Sequence, residues 1–289
     1  MAANTRDIRR RIKSIKNTAQ ITKAMQMVAA SKMRKAQQAA LAGRPYAELL
    51  NKVLVSLQGR TDASLNDLLE VRPLKKELVL VISTDKGLCG GLNTNLLREL
   101  NQFDSNTTEF VASGRKAAAY LARTKRPMIA DFELKDAPGL LDTKVISKFL
   151  IEKFLSREVD KVSVLYTSFV NTLIQKPTLR TLLPISAFDL PDHHAEAHKD
   201  TVGTSEYLFE PNAPEVLSAI LPHYIHFEVY EMVLDARASE HSARMVAMKS
   251  ATDNAKNLIK DLTLEYNKVR QASITNELLE ISSAQMALG

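Results

Sequence analysis

Residues 241–269 read HSARMVAMKSATDNAKNLIKDLTLEYNKV, and this segment carries the strongest structural pattern in the chain. Apolar or small residues recur in it at alternating steps of three and four, and the stripe extends back to residue 217. A repeat of 3.5 residues stays on one side of a helix only if helices supercoil, so the pattern predicts a coiled coil. The stripe comprises Leu217, Ile220, Tyr224, Phe227, Glu231, Leu234, Ala238, His241, Met245, Met248, Thr252, Ala255, Ile259, Leu262, Tyr266 and Val269.

The first 42 residues carry a similar stripe and provide the expected partner helix. Neither residues 1–42 nor residues 223–288 contain Gly or Pro. We therefore predict a long antiparallel coiled coil of residues 1–60 with residues 212–289, and about 65 helical residues would extend roughly 100 Å. His241, a lone histidine on the seam, is expected to set packing or register. The N-terminal stripe comprises Ile8, Ile12, Ile15, Ala19, Thr22, Met25, Ala29, Met33, Ala36 and Ala40.

The middle of the chain, residues 76–205, has the pattern of an α/β domain. Residues 77–84 read ELVLVIST, a continuous apolar run typical of a strand buried on both faces of a parallel sheet. Alternating strands and helices predict an open-sheet α/β (Rossmann-like) domain inserted between the terminal helices. Strands are predicted at 77–84, 110–112, 128–132, 161–170 and 178–185, and helices at 92–103, 115–123 and 145–155. Asn212, followed by Pro214, predicts the start of the last helix.

Composition excludes several classes of protein. The 289 residues are 45% hydrophobic, which suffices for a core and excludes a disordered chain. No apolar run approaches the ~20 residues of a membrane span, and the N-terminus lacks the apolar segment of a signal peptide. The basic N-terminus continues the heptad stripe, so a transit peptide is not expected. Cys89 is the only cysteine, which excludes an intrachain disulfide and fits a reducing cytoplasm.

Positive charge is concentrated in the N-terminal helix. Up to Arg44 this helix contains eleven Lys and Arg residues and one acidic residue, Asp7. Such a helix could bind nucleic acid, anionic lipid or an acidic protein surface, or could simply be the solvated flank of a coiled coil. The Ala- and Met-rich apolar face argues against lipid. A basic coiled-coil protein that binds nucleic acid remains the alternative function, although no base-reading motif is present. An acidic protein is the favoured partner.

Three groups of residues are candidates for chemical sites. Gly87, Gly90 and Gly91 follow the first strand, but they match neither G-x-G-x-x-G nor a Walker loop, so a tight strand-to-helix turn is expected. Asp85 and Lys86 lie where α/β enzymes hold ligands, yet no nucleophile and base accompany them. A polar loop holds a possible metal-binding group, but without a scaffold to fix its geometry. That group is Asp192, His193, His194, Glu196 and His198. We predict no catalytic residue, cofactor or metal.

Four segments together carry a resemblance to a known family. They are residues 21–34 (ITKAMQMVAASKMR), 83–93 (STDKGLCGGLN), 238–249 (ASEHSARMVAMK) and 266–275 (YNKVRQASIT). In order and spacing they resemble the γ subunit of F-type ATP synthases, and the likeness covers essentially the whole chain.

The resemblance implies a non-catalytic central rotor stalk. Its coiled coil would lie inside a ring of three α and three β subunits, and its α/β domain would stand on the c-ring beside ε. Proton flow through the membrane sector would turn it and drive ATP synthesis at the β sites. The implied location is peripheral, on the cytoplasmic face of a bacterial inner membrane.

The resemblance also implies contact residues. Met25 is similar to the position that faces the acidic lever loop of β. Arg244, Gln271 and Thr275 resemble the polar residues through which the rotor tip catches the stator, and Tyr207 falls in the stretch bordering ε and the c-ring. The regulatory dithiol segment of the chloroplast branch is missing, which implies that no internal disulfide controls this chain.

Overall fold

The computed structural model describes residues 5–58, 66–185 and 209–288. The chain divides into two compact units. Unit 1 comprises Met1–Ala29 with Arg244–Gly289, and unit 2 is Ala30–Ala243. Tyr207 and the His193–His198 group lie outside the described residues. The predicted domain boundaries at 60, 76, 205 and 212 stay a prediction.

Unit 1 consists of the ends of two long helices, α1 (Thr5–Gln58) and α5 (Ala213–Leu288). In this unit the stripe residues of both helices are buried or half-buried, whereas most of the residues flanking them are exposed. The Thr22 and Thr252 hydroxyls are 2.7 Å apart. In unit 2 the two helices run antiparallel, because Lys32 and His241 both lie against Asp136 while Tyr46, later in α1, contacts Phe227, earlier in α5. The predicted coiled coil is confirmed.

Helix α1 continues past Gly43 and Pro45, as the prediction of one helix over residues 1–60 requires, although both residue types disfavour a helix interior. Tertiary contact explains its continuation. A Cβ at Gly43 would lie 3.3 Å from Cζ of Phe227, so glycine admits this ring, and Tyr46 packs on the same ring at 5.0 Å between centroids. Leu54 and Leu57, near the end of α1, are fully buried in the core of unit 2.

Unit 2 is built on a five-stranded sheet of order β3-β2-β1-β4-β5. Strands β1 to β4 are parallel, and the edge strand β5 pairs antiparallel with β4. The predicted open α/β sheet is thus confirmed. The strands are β1 (Glu77–Ile82), β2 (Thr108–Ser113), β3 (Met128–Phe132), β4 (Lys161–Phe169) and β5 (Gln175–Leu183), and the helices between them are α2 (Leu92–Arg98), α3 (Arg115–Arg123) and α4 (Leu140–Leu155).

Helices cover both faces of the central strand β1, which explains its continuous apolar sequence. Leu78 and Leu80 pack with residues of α4 and α5 on one face. Val79 and Val81 pack with α2 and α3 on the other. Because strand side chains alternate between faces, every position from Leu78 onward is buried.

Helix α4 and strand β5 begin earlier than predicted, whereas α5 begins where predicted. Helix α4 begins at Leu140 because the Asp142 carboxylate accepts a hydrogen bond from the Gly139 amide at 2.9 Å. Strand β5 begins before Pro177, which an edge strand tolerates. The predicted start of α5 is confirmed, since Asn212 Oδ1 accepts the Glu215 amide at 2.9 Å.

Across the described ranges, no helix has the length and hydropathy needed to cross a membrane.

Candidate functional site

The carboxyl edge of the sheet is the place where an open α/β fold would hold a ligand. Ligands bind there in the crevice between strands whose connections leave in opposite directions, which in this sheet are β1 and β4. Helix α5 fills that crevice: Arg237 and Glu240 line it together with Ser83, Thr84 and Thr167. The remaining cavity measures about 10 Å³, the space of roughly one water molecule.

Arg237 is buried at this edge, with 6% of its surface exposed. Its guanidinium donates to Glu240 Oε2 at 2.8 Å and to Asp85 Oδ2 at 3.3 Å. It also approaches the carbonyl oxygens of Leu134 and Lys135 at 3.4 Å. A buried charge is tolerated only when it is paired and hydrogen-bonded, and these four acceptors meet that requirement.

The turn after β1 positions Asp85 for this contact. Asp85 Oδ1 also accepts the Arg115 amide at 3.1 Å, which joins the turn to the start of α3. Beside it, Gly114 adopts φ = 105°, and a Cβ there would lie 2.4 Å from the Ser83 carbonyl oxygen. Ser83 Oγ accepts the Ala117 amide at 2.8 Å. The glycine-rich segment is the predicted strand-to-helix turn, and Asp85 connects α3 and α5 by accepting hydrogen bonds from both helices.

The loop after β3 contacts both terminal helices through Asp136. Its carboxylate pairs with Lys32 of α1 and lies 3.9 Å from Nε2 of the buried His241 of α5. Burial alone would raise the pKa of Asp136, but the Lys32 hydrogen bond and the charges of Lys32, His241 and Arg237 outweigh it and lower this pKa. His241 therefore occupies a packed position against the loop, as its place on the seam suggested.

Strands β4 and β5 hold α5 from the other side of the edge. Asp235 Oδ1 accepts the Phe169 amide at 3.0 Å, and Ser242 Oγ donates to the Thr172 carbonyl at 2.9 Å. Arg180 of β5 pairs with the buried Glu228 at 3.0 Å. Residues 228–242 of α5 thus make polar contacts to β4, β5, the turn between them and the loops that follow β1 and β3.

A cavity of about 470 Å³ opens between α1, the β4–β5 hairpin and α5. Glu231 lies on its wall near Arg44, Tyr166, Arg180 and Asp235. Burial, followed by the negative charge of Glu228, raises the pKa of Glu231 to about 7 against the opposing charge of Arg180. Among the described residues, no group of His, Cys, Asp or Glu is placed to hold a metal ion.

The predicted contact residues lie in unit 1, apart from Tyr207. Met25 and Arg244 are half-buried, and Gln271 and Thr275 are exposed. Gln271 and Thr275 lie one turn apart, and Thr275 Oγ1 donates to the Gln271 carbonyl at 2.9 Å. Every residue of α5 from 270 to 286 is exposed, including Leu278, Leu279 and Ile281.

Sequence reasoning missed Arg237, Glu240 and Asp136. Arg237 and Glu240 flank the stripe, where a coiled coil normally meets solvent. The sequence signal that could have identified Arg237 and Glu240 is that they form an oppositely charged i,i+3 pair within the strongly apolar part of α5.

Comparison with known proteins gives one family. A profile described as ATP synthase matches residues 4–288. The ATP synthase gamma chain of Methylacidiphilum infernorum is 54% identical and covers 99% of this chain and 100% of its own length. The gamma chain of Opitutus terrae is 50% identical, covering 99% of each chain.

Solved structures agree with this result. A chain of the Tetrahymena thermophila mitochondrial ATP synthase central stalk and c-ring matches with a TM-score of 0.62 and 25% identity, covering 80% of this chain and 99% of that one. A chain of the Euglena gracilis enzyme has the same fold, with a TM-score of 0.69, 19% identity and coverage of 98% and 94%. This chain therefore belongs to the ATP synthase gamma chain family.

Proposed function

We propose that this gamma chain is a rotating shaft that couples proton flow through the membrane sector to ATP synthesis or hydrolysis at the catalytic sites between α and β subunits. The observation that carries the proposal is the full-length identity with gamma chains, which is 54% for the gamma chain of Methylacidiphilum infernorum. The chain itself is a non-catalytic subunit. A rotor can drive catalytic sites in sequence only because it contacts their conformations differently.

The proposed partners follow from the central-stalk assignment. Three α and three β subunits would surround the coiled coil, and ε and the c-ring would adjoin the α/β domain. The chain is a peripheral component of a membrane-associated complex, and we assign it to the cytoplasmic face of a bacterial inner membrane. The exposed stretch of α5 from 270 to 286 supports burial inside a ring, because contiguous exposed apolar side chains mark interaction sites.

The proposed contacts are Met25 with β, and Arg244, Gln271 and Thr275 with the stator; Tyr207 would border ε and the c-ring. Met25 lies on a helix whose first turns are basic, which suits an acidic loop on the partner. The exposure of Gln271 and Thr275 leaves them accessible to that partner.

Reconstitution tests the proposal. The purified full chain, mixed with α and β subunits, should give an ATPase whose native mass contains three α, three β and one copy of this chain. The chain alone should hydrolyse no ATP. Hydrolysis by the chain alone, or failure to join α and β, would contradict the proposal. Tight, salt-dependent binding to duplex DNA would instead favour the nucleic-acid alternative.

A further inference from the structure

Helix α5 is held against the sheet by two kinds of contact. Leu221, Ile225, Val229 and Val233 pack into the main core of unit 2. Apolar contact resists separation and is non-directional, so where only apolar side chains meet, rotation of a helix about its own axis is opposed by the shape of the packing alone. Hydrogen bonds depend on angle as well as distance, and they fix that rotation.

The directional contacts lie on two sides of the carboxyl edge. Asp235 and Ser242 bind the end of β4 and the β4–β5 turn. Arg237 binds Asp85, after β1, and the carbonyls of Leu134 and Lys135, after β3. Strand β2 lies between β1 and β3 in the sheet, so this one side chain joins the loops that follow two strands that are not neighbours.

We propose that Arg237 is a positioning residue for coupling: its guanidinium, seated in the crevice where an open α/β sheet would bind a ligand, locks the rotation of α5 to that of the sheet. The proposal rests on the rotor function above. Torque entering the α/β domain then turns α5 without slippage. The crevice serves as a socket for the chain's own helix, which explains why it retains only about 10 Å³.

A lock of this kind matters only under load. When a proton gradient opposes rotation, a loosened joint lets ATP hydrolysis continue while fewer protons move for each ATP. When an uncoupler removes the gradient, the same joint carries little torque. Replacing a residue that merely stabilises the fold would lower the amount of assembled enzyme. ATP hydrolysis and proton pumping would then fall together, and the number of protons moved per ATP would stay unchanged.

The test uses the complete ATP synthase in inverted membrane vesicles, with hydrolysis and proton uptake measured on the same preparation. Arg237→Gln should lower the protons moved per ATP under a gradient by about threefold or more, because it removes the buried positive charge and its shorter amide cannot reach all four acceptors. With uncoupler, its hydrolysis per assembled complex should equal that of the parent. Arg237→Lys keeps the charge without the planar fork and should give an intermediate ratio.

Arg115→Gln is the matched control, since Arg115 pairs with Glu133 at the same edge but both side chains are about 70% exposed, at 73% and 69%. It should keep the parental ratio. A parental ratio in Arg237→Gln under a gradient would overturn the proposal. If Arg237→Gln fails to assemble, Asp85→Asn is the second test. This variant still accepts the Arg115 amide but loses the negative charge that faces Arg237. A lowered ratio of protons to ATP would support the proposal, and a parental ratio would overturn it. If the parental chain gives no coupled enzyme, the rotor function itself has failed.

Discussion

Glu231 illustrates how a single carboxyl group can make the stability of the folded chain depend on pH. Its pKa is raised from 4.5 to about 7 by burial and by the charge of Glu228. The native state therefore keeps its proton between these values while the unfolded state releases it. Native stability is consequently greatest below about pH 4.5 with respect to this group and falls as pH rises to about 7.

Glu231→Gln should remove that dependence. We expect the variant to gain about 2–3 kcal/mol relative to the parent between pH 5 and pH 8, measured by urea unfolding. Glu265→Gln, an exposed position on the same helix, serves as the control and should track the parent. Equal pH dependence in Glu231→Gln and the parent would show that the carboxyl group is not held in its neutral form.

Gly114 is the position where backbone conformation leaves no choice of side chain. Its φ of 105° is costly for other residues, and an added Cβ would lie 2.4 Å from the Ser83 carbonyl oxygen. Gly114→Ala should destabilise the chain by about 2–4 kcal/mol in thermal or urea unfolding. Gly87→Ala is the matched control because nothing lies within 4 Å of its added Cβ. Comparable losses in the two variants would contradict this explanation.

At the scale of elements, the sequence predicted the bounds of those helices and strands that are determined by residues close to them in the chain. Helix 115–123 and strand 128–132 have the predicted bounds, because their hydrophobic periods and flanking Gly and Pro agree. Helix α1 was predicted over residues 1–60, but the ring contact of Tyr46 with Phe227, beside Pro45, could not be predicted because Phe227 lies far along the chain. The same reason hid Arg237, because three of its four acceptors lie 152, 103 and 102 residues away.

The coiled coil of unit 1 contains a polar pair on its seam that should couple α1 to α5. Thr22 Oγ1 and Thr252 Oγ1 are 2.7 Å apart, and each is near a carbonyl of its own helix as well. Thr22→Val or Thr252→Val alone should cost about 1 kcal/mol, because the remaining hydroxyl loses its partner. The double variant should cost less than the sum of the two.

Urea unfolding of the parent, both single variants and the double variant completes this cycle. The coupling energy should be at least about 0.5 kcal/mol, as for other residues in direct contact. Strict additivity would mean that the two hydroxyls do not stabilise each other across the helix pair.

At the scale of the whole molecule, the charged N-terminal helix gives a prediction about coupling. Met25→Lys should add a positive charge to α1 beside the acidic loop proposed on β. The new lysine should bind this loop and hold the rotor too tightly to β. ATP-driven proton pumping should fall more than ATP hydrolysis in vesicles containing the complete enzyme. Met27→Lys, on another side of the same helix and 59% exposed, adds the same charge and should affect pumping less. Unchanged coupling in Met25→Lys would count against this contact.

The far end of α5 provides the last prediction. Gln271 and Thr275 share one face of the helix, while Ser273 and Glu277 form a second pair on the opposite face with their polar atoms 3.3 Å apart. If the first pair catches the stator, Gln271→Ala with Thr275→Ala should lower ATP synthesis and hydrolysis several-fold at unchanged complex mass. Ser273→Ala with Glu277→Ala removes as many polar groups and should cost less. All four side chains are exposed in the isolated chain, so neither pair should change its unfolding transition. Equal losses of activity in the two double variants would mean that the tip is recognised by its shape and apolar surface, and that Gln271 and Thr275 have no special role.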